Sequence, residues 1–286
     1  MRDEMTQEQR LDYLVEAFKA DSVEYQNLET PADAEGKRRI LRSLMNIRMP
    51  RQISEQTLQI QDLYLAGRAE EKGIVELGRI PTIRDALGSK HPHGDRLSIW
   101  QGDITRLQVG AIVNAANSQM LGCFQPMHAC IDNCIHTYAG VQLRQECSRQ
   151  MNQLRIRYGR DYEQPTACPM LTPGYNLPAE YVIHVVGPIV YGNLQESHRR
   201  VLADCYRNVL ELCLKQGIKS VAFCCISTGV FRFPAREAAE IAVNTVSKWL
   251  DTHGSATHGK DCMERVIFNV FKDEDKELYE KLFSEE

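Results

Sequence analysis

Two cysteines and one histidine lie close together in the sequence, spaced as Cys123-x4-His128-x-Cys130. Thiolate and imidazole are ligands that zinc prefers, and three protein ligands with an open fourth position are typical of catalytic zinc sites. A chain with 10 cysteines also produces such triplets by chance, so the spacing alone leaves both interpretations open. It predicts a candidate site for one Zn²⁺ per chain.

An acidic residue, Asp132, follows this cluster and is predicted to open a helix. Its carboxylate could cap the helix, could act as a general base, or could do both, because a capping carboxylate stays ionised. Asn114 and Asn133 are interpreted as turn residues, and His136 as a packing histidine.

Two other segments could contact a ligand. Asp103 follows a predicted strand, where a turn cap is an equally good interpretation. The segment Ser227-Thr228-Gly229-Val230-Phe231 comes just before a predicted helix, so its backbone N–H groups could bind a diphosphate without a net positive charge. The alternative for this segment is a plain strand-to-helix turn.

These segments follow strands in a pattern that alternates strands with helices. The predicted strands cover residues 97–100, 111–114, 166–171, 181–186, 220–226 and 266–271. The predicted helices cover residues 132–151, 196–216, 235–253 and 273–283. This order predicts an α/β fold of three layers, α/β/α, with a mixed, mostly parallel sheet and ligands beyond the carboxyl ends of its strands.

The first part of the chain shows only helical patterns. A capping box at Thr6-x-x-Gln9 predicts the start of one helix, Thr30-Pro31 predicts a second, and a third is expected near Ser54. No strand is predicted before about residue 95. A loop rich in Gly, His and Pro then divides the chain into a helical extension (1–90), expected to pack on the second part, and an α/β domain (91–286).

Composition excludes some partners. The net charge of −4 and the pI near 6.1 argue against nucleic acid and anionic membrane surfaces as partners. No stretch reaches the roughly 18 apolar residues of a membrane span, and the N-terminus does not read as a signal peptide. We therefore expect a cytoplasmic protein with reduced thiols, most of them buried as small hydrophobic residues.

Three motifs together resemble the macrodomain family, whose members bind ADP-ribose. They are Gly102-Asp103-Ile104-Thr105, residues 111–117 and residues 227–234, and the resemblance covers roughly residues 90 to 286. Ordinary macrodomains carry a run of glycines where this chain has Cys123, His128 and Cys130. That departure resembles the zinc-dependent macrodomain branch of bacteria and fungi, which comprises protein ADP-ribosyl hydrolases.

The resemblance implies a role for each candidate residue. Asp103 would accept a hydrogen bond from the adenine amino group, with Ile104 beside it in the ADP-ribose site. The diphosphate would lie on Ser227, Thr228, Gly229 and Val230, and Phe231 would pack on a ribose. Asn117 would bind the distal ribose, Asp132 would orient or activate water, and Cys123, His128 and Cys130 would hold Zn²⁺ next to that ribose.

The implied reaction is hydrolysis of the bond between C1 of the distal ribose and an acceptor side chain of a mono-ADP-ribosylated protein. Zinc would polarise a ribose hydroxyl or a water. Members of this branch are often encoded beside a sirtuin-type ADP-ribosyltransferase and a lipoylated carrier protein, so such a carrier is a candidate substrate. The alternatives are an ADP-ribose reader with a structural zinc and an interaction protein built from the N-terminal helices.

Overall fold

The computed structural model describes residues 5–253 and 263–284. The helices are α1 (Gln7–Ala20), α2 (Ala34–Ile47), α3 (Glu55–Lys72), α4 (Ile83–Leu87), α5 (Ile131–Ala139), α6 (Val141–Tyr158), α7 (Glu196–Gln216), α8 (Ala235–His253) and α9 (Asp273–Ser284). The strands are β1 (Val75–Glu76), β2 (Leu97–Gln101), β3 (Leu107–Gln108), β4 (Ala111–Ala116), β5 (Met170–Pro173), β6 (Tyr181–Val186), β7 (Ser220–Phe223) and β8 (Arg265–Val270).

Six strands form one sheet in the order β2-β8-β7-β4-β6-β5. Every neighbouring pair is parallel except β5 with β6 at one edge, so the prediction of a mixed, mostly parallel sheet is confirmed. Helix α8 packs on both α7 and α9, and α5 packs on α6 and on β4. Because the parallel strands share one direction, their carboxyl ends meet at one edge of the sheet.

Some boundaries differ from the predictions for local reasons. The strand expected over residues 166–171 begins at Met170, because the chain first turns with Ala167 at φ +62°. The helix expected over residues 132–151 is broken at Gly140, whose φ of +93° does not continue a helix. A two-residue strand, β1, pairs with β3, so the prediction of no strand before residue 95 was wrong.

The N-terminal helices begin at side-chain caps. The capping box of Thr6 with Gln9 and the Ser54 cap are confirmed. The predicted start at Thr30-Pro31 was wrong: α2 begins after Asp33, whose carboxylate accepts a hydrogen bond from the Gly36 amide at 2.8 Å. The Thr30 hydroxyl is engaged elsewhere, because it accepts a hydrogen bond from Lys19 Nζ at 3.0 Å.

Two apolar cores organise the molecule. The larger core underlies the sheet and reaches back along the chain to Ile80 and Ile83. The smaller core joins α1, α2 and α3 and includes one residue of the other part, Val141. The backbone amide of Val141 donates to Gln61 Oε1 at 3.1 Å, so a side chain of α3 caps the start of α6. The N-terminal helices therefore pack directly against the α5–α6 corner of the α/β domain.

No helix in the described part of the chain is long and apolar enough to cross a membrane.

Candidate active site

The three predicted zinc ligands come together in space. They lie in the metal loop, residues 121–130, which connects the end of β4 to α5. Cys123 Sγ lies 3.6 Å from His128 Nδ1, and both atoms lie within 4.8 Å of Cys130 Sγ. Tetrahedral zinc with ordinary Zn–S and Zn–N bonds separates such ligand atoms by about 3.5 to 3.8 Å. The donor set and its spacing therefore fit one Zn²⁺.

The ligand cysteine nearest the helix also serves as its cap. Cys130 is the N-cap of α5, and its sulfur accepts a hydrogen bond from the Asn133 amide at 3.4 Å. Burial above all raises the pKa of the Cys130 thiol to about 12, so its thiolate requires a cation beside it. The capping interpretation of Asp132 was wrong, since Asp132 lies inside the first turn.

Asp132 is buried at the base of the metal loop, next to Asn117. Its Oδ1 accepts a hydrogen bond from Asn114 Nδ2 at 2.8 Å, and its Oδ2 lies 3.5 Å from Asn117 Nδ2. Asn117 Nδ2 also donates to the Gly122 carbonyl at 3.2 Å. Burial raises the pKa of Asp132 to about 6, although the Asn114 hydrogen bond and the Arg144 charge oppose the shift. The carboxyl group is thus suited to exchange protons near neutral pH.

A chain of buried polar groups supports Asp132 from below. Asn114 was predicted to be a turn residue, but it lies in β4. Its Nδ2 also donates to His184 Nδ1 at 3.0 Å. His184 Nε2 is therefore the protonated nitrogen, and it donates to Thr172 Oγ1 at 3.0 Å. Desolvation lowers the pKa of His184 to about 3, so this histidine is neutral. His136 is buried as predicted, with Nε2 3.5 Å from Asp132 Oδ1, but the prediction of a satisfied histidine was wrong, because neither ring nitrogen has a hydrogen-bond partner among the described residues.

The second loop at this edge, the phosphate loop of residues 227–231, joins the end of β7 to α8. Ser227 has a φ of +67°, which turns the chain sharply, and the Phe233 amide closes the turn onto the Ser227 carbonyl at 3.0 Å. The amides of Gly229, Val230 and Phe231 have no hydrogen-bond acceptor among the described residues. Three consecutive amides before a helix N-terminus form a site that suits an anion.

Asp103 lies where β2 ends and is held from two sides. Its Oδ1 accepts from the Thr105 amide at 3.0 Å, and its Oδ2 pairs with Lys72 Nζ at 2.5 Å. Burial opposes ionisation, but the Lys72 charge and the hydrogen bonds lower the pKa of Asp103 below its usual range. Its carboxylate is therefore ionised and an acceptor. The side chain of Ile104 is buried in the core, so only its backbone can reach a ligand.

Sequence reasoning missed several residues at this edge. Phe271 follows β8, the neighbour of β2, and is 75% exposed, so a planar base could stack on its ring. Arg42 and Asn46 of α2 contact the metal loop, and Lys72 of α3 contacts Asp103. None of these residues carried a clear signal in the sequence, because Asn46 lies in the last turn of α2, where a residue of low helix propensity is ordinary.

The fold and the two loops define an α/β nucleotide-binding domain of the macrodomain class. A family model described as Macro domain matches residues 113–242. A solved macrodomain of Trypanosoma brucei in complex with ADP-ribose is 29% identical, with a TM-score of 0.60 over 84% of this chain and 94% of that chain. The macrodomain fold, with helices α1 to α3 before it, is thereby confirmed.

Two protein relatives define the family more closely. A protein-ADP-ribose hydrolase of Treponema medium is 45% identical over 98% of this chain and 100% of its own length. A probable bifunctional ADP-ribose hydrolase/ADP-ribosyltransferase of Fusarium oxysporum f. sp. cubense is 48% identical over 66% of this chain and 32% of its own length. This chain belongs to the Macro domain family, and the prediction that it is an enzyme is confirmed by its full-length hydrolase relative.

Proposed function

We propose that this protein is a zinc-dependent hydrolase that removes mono-ADP-ribose from modified proteins by cleaving the bond between C1 of the distal ribose and the acceptor side chain. The observation that carries the proposal is the convergence of Asp132 and Asn117 beside Cys123, His128 and Cys130. An acid with a pKa of about 6, a polar amide and a soft ligand triad at one edge of the sheet are groups that bond cleavage uses and binding alone does not need.

The chain's own residues divide the work of the reaction. Asp132 accepts the proton of an attacking water from its fixed, buried position, with Asn114 holding one carboxylate oxygen. Asn117 holds the distal ribose through its side-chain amide. Cys123, His128 and Cys130 would hold Zn²⁺, which would supply Lewis-acid polarisation of a ribose hydroxyl or a water.

Binding of the remainder of the substrate uses the other strand ends. The phosphate loop accommodates the diphosphate on its backbone amides, with Phe231 against a ribose. Asp103 accepts from the adenine amino group, and the exposed ring of Phe271 stacks on the base. These contacts do not depend on the acceptor residue, so they would serve an ADP-ribose reader equally well. The metal loop and Asp132 are what distinguish the hydrolase from the reader.

The proposed substrate is a protein that a sirtuin-type ADP-ribosyltransferase has modified, with a lipoylated carrier protein as the specific candidate. Support comes from the Fusarium relative, in whose name hydrolase and ADP-ribosyltransferase activities are joined in one chain. The protein is proposed to act in the cytoplasm.

A release assay tests this proposal. Purified protein of known zinc content is incubated with mono-ADP-ribosylated proteins, modified in separate preparations on glutamate or on serine, and free ADP-ribose is measured. We expect release by the wild type and at least a hundredfold slower release by Asp132→Asn, which keeps the size of the side chain. Tight ADP-ribose binding without release from any substrate by the zinc-loaded wild type would favour the reader.

A further inference from the structure

The metal loop is held in place from outside the α/β domain. Its residues form no helix or strand, so its conformation depends on contacts with neighbouring elements. One of these contacts is made by Arg42 of α2, whose Nη2 donates to the His128 carbonyl at 2.9 Å and to Asn133 Oδ1 at 2.8 Å. A single guanidinium thus fixes the backbone of one ligand residue and the side chain of Asn133.

Asn133 extends this contact to the other two ligands. It is fully buried, and its Nδ2 donates to the Gln125 carbonyl at 2.9 Å and to the Cys123 carbonyl at 3.4 Å. Its backbone amide donates to Cys130 Sγ at 3.4 Å. Because Asn133 Oδ1 accepts both Nε and Nη2 of Arg42, the orientation of the amide that holds the loop depends on α2.

A second residue of α2 fixes the turn in front of His128. The side chain of Asn46 is buried, and its Oδ1 accepts from the Met127 amide at 3.1 Å, while its Nδ2 donates to Thr137 Oγ1 at 2.9 Å. Met127 has a φ of +57°, an unfavourable conformation for a residue with a side chain. The Asn46 hydrogen bond helps to hold the turn in that conformation.

A buried arginine of the α/β domain connects the carboxyl end of α2 to the start of the metal loop. Arg144 Nη1 donates to the Asn46 and Arg48 carbonyls, each at 2.7 Å, and Arg144 Nε donates to the Leu121 carbonyl at 2.7 Å. Carbonyls at a helix C-terminus carry partial negative charge, which stabilises the buried guanidinium. The loop and α2 therefore share one set of polar contacts.

We infer that α2 contributes to the zinc site through two positioning residues, Arg42 and Asn46. These residues hold the metal loop in the geometry that its ligands need and so set the zinc affinity. The inference rests on the proposed zinc dependence. It assigns the N-terminal helices a function beyond packing. Groups that orient metal ligands commonly change metal affinity ten- to a hundredfold when they are lost.

The test measures zinc affinity of the full-length protein directly, by competition with a chromophoric chelator after metal stripping. Arg42→Ala is expected to bind Zn²⁺ about ten- to a hundredfold more weakly than the wild type. Arg42→Lys keeps the charge but loses the fork that reaches two oxygens, so a smaller loss of about three- to tenfold is expected. Arg39→Ala is the matched control, because this arginine is exposed on the same helix.

Two additional readouts separate positioning from general damage. ADP-ribose affinity, measured by calorimetry, is expected to stay within about threefold of the wild type in all variants, since Asp103 and the phosphate loop make no contact with Arg42. Thermal unfolding of the metal-free proteins reports whether each variant folds. If Arg42→Ala does not fold, Arg42→Lys and Asn46→Ser decide the question.

The outcomes are distinct. Weaker zinc binding with unchanged ADP-ribose binding supports the inference. Wild-type zinc affinity in folded Arg42→Lys and Asn46→Ser, as well as in any folded Arg42→Ala, overturns it and leaves the proposed function intact. A wild-type protein that takes up no zinc overturns the zinc dependence, and the inference falls with it.

Discussion

The phosphate loop and the metal loop follow neighbouring parallel strands, β7 and β4, yet they are built in opposite ways. The phosphate loop presents backbone amides and is closed mainly by short-range bonds such as Phe233 N to the Ser227 carbonyl, with one bond from a distant segment, Val190 N to the Phe231 carbonyl. The metal loop presents side chains, and the contact between Arg42 and His128 that holds it spans 86 positions of the chain. A backbone site can form from a local turn, whereas a side-chain site requires distant residues to fix its geometry.

The cores beneath the two loops differ in the same sense. Under the phosphate loop, β7 and β8 contribute large apolar side chains such as Phe223 and Phe268. Under the metal loop, β4 and β6 contribute Asn114 and His184, both fully buried. Buried polar groups specify one arrangement only when all their hydrogen-bond partners are in place. The core beneath the metal loop is therefore more demanding to fold than the core beneath the phosphate loop.

The largest expected effect concerns the ligands of the metal loop. His128→Ala should lower the rate of ADP-ribose release by at least about a hundredfold, because two thiolates alone hold zinc poorly. ADP-ribose affinity should fall less than about tenfold, since the adenine and diphosphate contacts lie in other loops. Release assays and calorimetric titrations on the same preparations measure both quantities.

Chelation of the wild type supplies the control for this substitution. Removing zinc should stop release, and adding Zn²⁺ should restore it to the wild type but not to His128→Ala. Release at the wild-type rate from a folded, metal-free protein would instead mean that Asp132 acts without a metal. The side chains of the metal loop would then have no catalytic role to set against the phosphate loop.

The next effect concerns Asp103, the proposed acceptor for the adenine amino group at the end of β2. Asp103→Ala should weaken ADP-ribose affinity about ten- to a hundredfold, because it removes a charged acceptor for the base. Lys72→Met leaves the carboxylate with its Thr105 bonds, so a loss below about tenfold is expected. Zinc affinity should be unchanged in both variants. Equal binding by wild type and a folded Asp103→Ala would remove this residue from the site.

The residues of the site also differ in how well they could be predicted from the sequence. Cys123, His128 and Cys130 stand within one short segment, so their spacing indicated a candidate zinc site. The spacing alone left a chance triplet open, and the resemblance to the zinc-dependent branch carried the assignment. Arg42 and Lys72 could not be found this way. Each is a charged residue on an amphipathic helix, where exposure to solvent is the ordinary expectation, and its partner is set by the docking of two separate cores.

The fold was predictable for a similar reason. Alternation of β-rich runs with amphipathic helices predicted the sheet and the helices after residue 95, because that periodicity is local. Strand order depends on tertiary packing, whereas the break at Gly140 follows from the backbone conformation of one glycine. The misplaced start of α2 shows the same limit, since Thr30 looked like a cap but is used by Lys19.

A smaller effect is expected from the backbone of the phosphate loop. A Cβ atom at Gly187 would lie 2.1 Å from Ser227 Oγ and 2.7 Å from Ile226 Cγ2. Gly187→Ala should therefore displace the loop, weaken ADP-ribose affinity about tenfold and lower the free energy of unfolding by about 1 to 3 kcal/mol. Zinc affinity should not change.

Gly78→Ala is the matched control for this substitution, because a Cβ there meets no atom within 4 Å. Calorimetry with ADP-ribose and urea unfolding compare the two variants. Unchanged ADP-ribose affinity in Gly187→Ala would show that the phosphate loop accommodates the added methyl group, and that close packing against residue 187 is not what positions the amides.

The smallest expected effect tests the polar core beneath the metal loop through its response to acid. Burial lowers the pKa of His184 to about 3, whereas the unfolded chain binds this proton near pH 6.5. As pH falls from about 6.5 toward 3, the unfolded state takes up a proton that the folded state refuses, so the free energy of unfolding falls by up to about 1.4 kcal/mol per pH unit. Asp132, with its raised pKa, acts in the opposite direction between about pH 6 and 4, because its folded form binds the proton first. That contribution is common to the wild type and His184→Gln, so it cancels when the two are compared.

Urea unfolding of both chelated proteins at pH 8 and pH 5 should therefore show the smaller loss of stability in His184→Gln. Equal losses of stability in the two proteins would mean that His184 takes up its proton in the folded state. Water would then reach the polar core beneath the metal loop.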